Sequence, residues 1–119
     1  MSPAAEAQTN PRGAVPDAAL LERVARRDEQ GLGELRARYA GTLYAVVYGI
    51  LGNPSDAEHV VSETFLEVWR HAADFRADLG TVHGWLGEIA RRRARSLNRE
   101  RTARRTTWRT SPPLTQPST

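Results

Sequence analysis

The chain has 119 residues, no cysteine, and seventeen basic residues against fourteen acids, for a net charge of +3. At that length one small domain is expected. Disulfides and thiolate metal sites are excluded by composition, and no run approaches the ~20 apolar residues of a membrane span or resembles a signal peptide. The charge is unevenly placed. Residues 1–88 hold eight Arg against thirteen acids, a net of −5, whereas residues 89–119 hold nine Arg against Glu100 alone, a net of +8. All the basic residues are Arg. This asymmetry points to a polyanionic partner at one end of the molecule.

In chain order, residues 1–16 (MSPAAEAQTNPRGAVP) lack apolar periodicity and are expected to form a disordered N-terminal tail. Asp17 precedes AALLERVARR, a short helix with Asp17 as its expected N-cap and Leu20, Leu21 and Val24 on one side. Asp28 can cap a second helix in which Leu32, Leu35, Tyr39, Leu43, Val46, Val47 and Ile50 recur at three-to-four spacing. Gly31, Gly33, Gly41 and Gly49 interrupt it, and close approach of a neighbouring helix is the expected reason. Gly52-Asn53-Pro54 ends it. Ser55 with Glu58 reads as a capping box opening a third helix, whose apolar stripe is Val61, Phe65, Val68, Ala72 and Phe75.

After the loop RADLG, Thr81 can cap a fourth helix that buries Val82, Trp85, Leu86, Ile89, Ala90, Ala94 and Leu97. The expected fold class is all-α: a small four-helix bundle over residues 17–106, with a second disordered tail over 107–119. From Ile89 to Arg105 the fourth helix packs eight Arg and one acid into seventeen residues. Arg91, Arg95 and Asn98/Arg99 recur at i, i+4 and i+8, with Arg92 and Ser96 alongside. Solubility and the helix dipole account for two or three arginines at a helix C-terminus, but eight with almost no compensating acid favour a phosphate-bearing partner.

The stretches DAEHVVSETFLEVWRHAADF and WLGEIARRRA, at their spacing, resemble region 2 of the extracytoplasmic-function sigma factors, the subunits that direct bacterial RNA polymerase to promoters. The likeness runs over about residues 18–105. It implies a region 2-type helical bundle and two partners. The third helix would meet the clamp helices of the polymerase β′ subunit through Asp56, His59, Ser62, Glu63, Leu66 and Arg70. The fourth helix and the loop before it would read and open the minus-ten promoter element. The loop, about Phe75 to Gly80 with Arg76 and Asp78, would receive a base flipped from the non-template strand. Arg91, Arg92, Arg95, Ser96, Asn98 and Arg99 would follow the DNA from the helix.

The chain departs from the family pattern at several points. His59 and Ser62 stand where Asp and Gln are usual, and Arg92 and Ser96 where Asn and Asp are common. Region 4 is expected to be missing, as in a truncated product, an isolated segment or a single-domain protein. The rival readings are a sigma-like decoy or regulator that binds polymerase or an anti-sigma factor without initiating, and a general nucleic-acid binder acting through Arg density alone; an anti-sigma factor is thereby a further candidate partner.

Trp69 and Trp85 are assigned to the core and Trp108 to the tail. His59, His71 and His83 lack ligand spacing, so no metal or other cofactor is expected. Glu58, Glu63 and Glu67 read as a solvated or partner-binding face and not as catalytic carboxylates. A cytoplasmic, non-enzymatic, DNA-binding protein without membrane association is the resulting expectation.

Overall fold

A computed structural model of the chain describes the backbone of residues 15–110 and side chains as far as Arg105. Of the tails expected over 1–16 and 107–119, residues 1–14 and 111–119 lie outside the described residues, as does the Trp108 side chain. Four helices follow one another: α1 (Asp17–Ala25), α2 (Glu29–Leu51), α3 (Pro54–His71) and α4 (Val82–Thr110). Two 3-10 turns, Ala72–Asp74 and Ala77–Leu79, join α3 to α4. No strand occurs among the described residues, and the all-α expectation stands.

The helix ends follow from local chemistry, with two corrections. Asp28 caps α2, its carboxylate accepting from the backbone N–H of Gln30 at 3.0 Å and Gly31 at 3.4 Å. A hydrogen bond from Arg23 and these backbone donors hold the Asp28 carboxyl below its ordinary range. Gly52 ends α2 in the left-handed conformation at φ 68°, the expected stop. The cap of α3, however, is Asn53 and not Ser55. Its side chain accepts from the Asp56 N–H at 2.9 Å, and Pro54 takes the first helical position, where its fixed φ suits the helix and its missing N–H is no loss.

Asp17 is likewise not a cap. The N-cap of α1 is Pro16, without a side-chain bond. The Asp17 carboxylate instead accepts from Arg38 Nη1 at 2.7 Å and from the Tyr39 hydroxyl. Two tertiary donors on α2 outcompete a local turn. Burial, followed by the hydrogen bond to Asp17, pushes the Tyr39 hydroxyl well above its ordinary pKa. The Tyr39 ring stacks on His83 at the start of α4, with centroids 5.1 Å apart.

The core is one cluster drawn from every helix: Leu20, Leu21 and Val24; Leu35, Tyr39, Leu43 and Val47; Ala57, Val60, Val61, Phe65 and Val68; and Val82, Leu86, Ile89, Ala90 and Ala94. Thr64 is fully buried among them and satisfies its hydroxyl on the Val60 carbonyl at 2.8 Å. Of the four glycines expected to permit close approach, only Gly31 does so. A Cβ there would stand 3.2 Å from Arg23 Cβ and 3.3 Å from the Leu20 carbonyl, while Gly33, Gly41 and Gly49 have open space.

The turn after α1 places Arg27 at φ 69°. That position is held because its guanidinium lies 5.1 Å over the Trp69 ring and donates to the Trp69 carbonyl at the end of α3. Finally, α4 runs to Thr110, beyond the expected boundary at 106, because no Gly or Pro interrupts the segment before Pro112.

The Asp17–Arg38 pair is about 15% and 14% exposed on its two side chains. Asp17→Ala leaves a guanidinium and a phenol without their acceptor, and should lower unfolding stability by about 1–3 kcal/mol. Urea denaturation measures the loss, and hydrogen exchange should locate the loosening in α1 ahead of α3 and α4.

Candidate nucleic-acid interface

The rotational phase of α4 decides which arginines meet solvent. Val82, Leu86, Ile89, Ala90 and Ala94 are buried and Leu97 half-buried, which turns this stripe toward the bundle. At 100° per residue, Arg91, Arg95 and Arg99 then lie on the opposite side, about 6 Å apart along the axis. Arg95 and Arg99 are exposed and Arg91 half-buried, and none of the three makes a carboxylate pair among the described residues. Arg91 lies back over the buried Gly87, where an added Cβ would come within 3.3 Å of both terminal nitrogens. Asn98 is exposed on the same side of the helix.

A second set of arginines is spoken for. Arg92 Nη2 donates to Glu67 at 2.6 Å, Arg93 Nε to Glu67 at 2.8 Å, and Arg93 Nη1 to Glu63 at 3.2 Å. Farther along, Arg101 Nη2 donates to Asp56 at 2.9 Å. These contacts lace α4 to α3. Arg92, expected beside the DNA-facing ridge, therefore sits in an ion pair, and Arg93, to which the sequence reading gave no role, bridges two acids. Ser96 also turns toward α3, lining a small cleft with His59, Glu63 and Leu97. The acids Glu63 and Glu67 are thus neutralised from within the molecule, which a one-helix view of their face did not reveal.

Ahead of α4 the ridge meets a pocket of about 370 Å³. Its walls are Phe75, Arg76, Leu79, Gly80 and Thr81 from the turns, and Gly84, Trp85, Glu88 and Arg91 from the first turns of α4, with Asp74 at its edge. Phe75 and Trp85 stand 5.6 Å apart and tilted by 60°, giving it an aromatic corner. Trp85 packs against the core, as expected, and also lines this opening. The connection carries side-chain hydrogen bonds of its own. Arg76 clasps Asp78 through two bonds of 3.1 and 2.8 Å, and Thr81 caps α4 by accepting from the Gly84 N–H at 2.9 Å. Arg76 and Asp78 engage each other, but both remain more than half exposed.

On α3, His59, Ser62, Glu63, Leu66 and Arg70 share one arc of the helix, with Asp56 at its margin. Leu66 is 42% exposed at the middle of this arc. Arg36 of α2 reaches Ser62 Oγ at 3.4 Å along one side.

Residues 35–106 match the family model described as Sigma-70 region 2. The chain belongs to the sigma-70 region 2 family. Curated relatives are named ECF RNA polymerase sigma factor SigK. The one from Mycobacterium tuberculosis (strain H37Rv) is 36% identical over 76 residues, which is 64% of this chain and 41% of that protein. The one from Mycolicibacterium vanbaalenii is 32% identical over 76 residues, 64% of this chain and 39% of the relative. The chain thus spans about two fifths of the length of the relatives it matches. Within a region 2 domain, α3, the two turns and α4 are the elements on which the resemblance placed both partner faces. No helix among the described residues is long and apolar enough to cross a membrane.

On the pocket's α4 wall Arg91 was expected beside the DNA, whereas Gly84, Trp85 and Glu88 were given no part in a site. Trp85 and Glu88 lie within the stretch that carries the family resemblance, but only their register against Phe75 shows that they line an opening. The two sets of arginines should separate by stability. Glu67→Ala removes the acceptor of two guanidiniums from a side chain 18% exposed, and should cost about 1–2 kcal/mol in urea denaturation. Arg95→Ala, on the unpaired ridge, should stay within about 0.5 kcal/mol of the parent.

Proposed function

We propose that this region 2 domain directs core RNA polymerase to promoter DNA, docking on the β′ clamp helices through the outer arc of α3. It holds the non-template strand of the minus-ten element along α4, with one base lodged in the Phe75–Trp85 pocket. The observation that carries this reading is the junction of two features. A ridge of arginines without carboxylate partners among the described residues, Arg91–Arg95–Arg99, runs directly into an aromatic-cornered opening that Arg91 itself lines.

Each feature has a separate chemical task. Guanidiniums spaced along one helix face neutralise successive phosphates and position the strand. An aromatic corner accepts the flat face of an unstacked base, and Glu88, Asp74 and Arg91 offer hydrogen-bonding groups of both signs around it. A volume of about 370 Å³ falls at the small end of ligand-sized cavities, in keeping with a single base and not a longer segment. Sequence-blind binding by Arg density is less well supported. Arg92, Arg93 and Arg101 are matched by carboxylates of α3, so the eight arginines of the basic segment do not act as one undirected cloud.

On α3 the exposed Leu66, flanked by His59, Ser62 and Arg70, offers an apolar anchor in a polar surround, the arrangement in which one side chain dominates an interface. Glu63 contributes to that face while held by Arg93.

Arg91→Ala and Arg95→Ala should each weaken binding to a minus-ten-like single strand and lower the slope of log affinity against log salt by about 0.7. Fluorescence anisotropy at several salt concentrations reads both effects. Equal affinity of the parent for a scrambled strand would replace promoter reading by general nucleic-acid binding. Leu66→Glu should abolish co-purification with core polymerase while leaving single-strand affinity intact, and normal co-purification would move the polymerase face elsewhere. Promoter-dependent transcripts from the reconstituted mixture would separate an initiator from a polymerase-binding decoy.

A further inference from the structure

We propose that Glu67 is a positioning residue that holds Arg92 in reserve. Their ion pair across the α3–α4 seam withholds one cation from the phosphate backbone, and so limits how tightly the domain holds nucleic acid of any sequence. The inference rests on the reading of the Arg91–Arg95–Arg99 ridge as the strand-holding face.

Of the α4 arginines matched by α3 carboxylates, Arg92 is the one that borders the ridge. At about 100° per residue it lies about 20° round the helix from Arg99 and about 60° from Arg95, whereas Arg93 and Arg101 are turned more than about 100° from both. Arg93 is spent on two acids, with Nε on Glu67 at 2.8 Å and Nη1 on Glu63 at 3.2 Å, and its side chain is 31% exposed. Arg92 makes a single bond, from Nη2 to Glu67 Oε2 at 2.6 Å, and its side chain stays 55% exposed. The acid beneath it is 18% exposed and is fastened at its other oxygen by Arg93. A shielded, anchored carboxylate therefore holds an outward guanidinium beside the ridge.

A phosphate meets Arg92 at a disadvantage. A cation without a carboxylate partner neutralises a phosphate and releases its counterions, whereas one already paired must first give up or share its acid. Glu67 cannot follow Arg92 outward, because Arg93 keeps it at the seam. An ion pair with one exposed member is weak, so the restraint lowers affinity by a modest factor and does not abolish it. Phosphates carry no base information, and the restraint acts alike on every strand. With Arg92 withheld, Arg91, Arg95 and Arg99 remain to hold the backbone, and sequence-blind affinity is kept down without any change at the Phe75–Trp85 pocket.

The test is fluorescence anisotropy of the full chain with a minus-ten-like and a scrambled single strand over a range of salt. Glu67→Gln keeps the shape of the side chain and removes its charge. It should raise affinity for both strands about fivefold at about 0.1 M salt, and steepen the slope of log affinity against log salt by about 0.7. Arg92→Ala should leave the parent within about twofold, yet abolish the gain in the Glu67→Gln background. Glu22→Gln makes the same change of charge on exposed α1 and should give no such gain. The inference is overturned by no gain in Glu67→Gln, by a gain that survives Arg92→Ala or that Glu22→Gln reproduces, or by a gain confined to the minus-ten-like strand. A loss on Arg92→Ala in the parent equal to that on Arg95→Ala overturns it as well, and this arm decides the matter if circular dichroism finds Glu67→Gln unfolded. If Arg95→Ala leaves the parent's affinity unchanged, the ridge reading itself fails and the reserve falls with it, whereas failure at Glu67 or Arg92 leaves the ridge standing.

Discussion

The rotation of α4 about its own axis is the constraint from which the two surfaces follow. An apolar stripe running from Val82 to Ala94 packs into the bundle and leaves little freedom to turn. Glu67 then fixes the phase further, because its two oxygens are taken by guanidiniums from adjacent positions, Arg92 and Arg93. A rotation of one residue would break both bonds and carry Ile89 or Ala90 toward water. Arg91, Arg95 and Arg99 lie on the side of α4 that this fit turns away from α3, and none of them makes a carboxylate pair among the described residues.

That arrangement gives the acids of α3 a double character. Glu63 and Asp56 lie on or beside the arc assigned to polymerase, and both are held by arginines of α4. The faces proposed for polymerase and for nucleic acid therefore share charged groups along their common seam. The exposed middle of the α3 arc, around Leu66, is left to make contacts that need no charge, while the seam stabilises the bundle by matching opposite charges at moderate exposure. The α1–α2 turn is tied into the same frame from the other end of α3, where Arg27 covers Trp69.

The pocket arises where that frame stops. Between His71 and Val82 the chain cannot continue α3, because it must turn back to begin α4, and it does so through two 3-10 turns instead of an open loop. Phe75 folds inward against Trp85, Leu79 stays outward, and the space between them is the opening. A short connection hydrogen-bonded in this way presents its side chains in one arrangement, as the proposed single-base site requires.

Helical periodicity and local stop signals determined much of this protein. The apolar spacing of Leu35–Tyr39–Leu43 and Leu86–Ala90–Ala94, the Asp28 and Thr81 caps, and the Gly52 stop are all settled within a few residues of chain, and the family pattern was readable in α3 and α4 together. The concentration of arginine after Ile89 was likewise visible as composition. Tertiary structure alone decided which arginines are unpaired, because an ion pair such as Arg93–Glu63 joins residues 30 positions apart and depends on how two helices are set against each other. It also decided that Asp17 serves Arg38 and Tyr39 instead of its own helix, and that Trp85 both packs and lines an opening, since long-range donors and facing side chains leave no trace in local spacing.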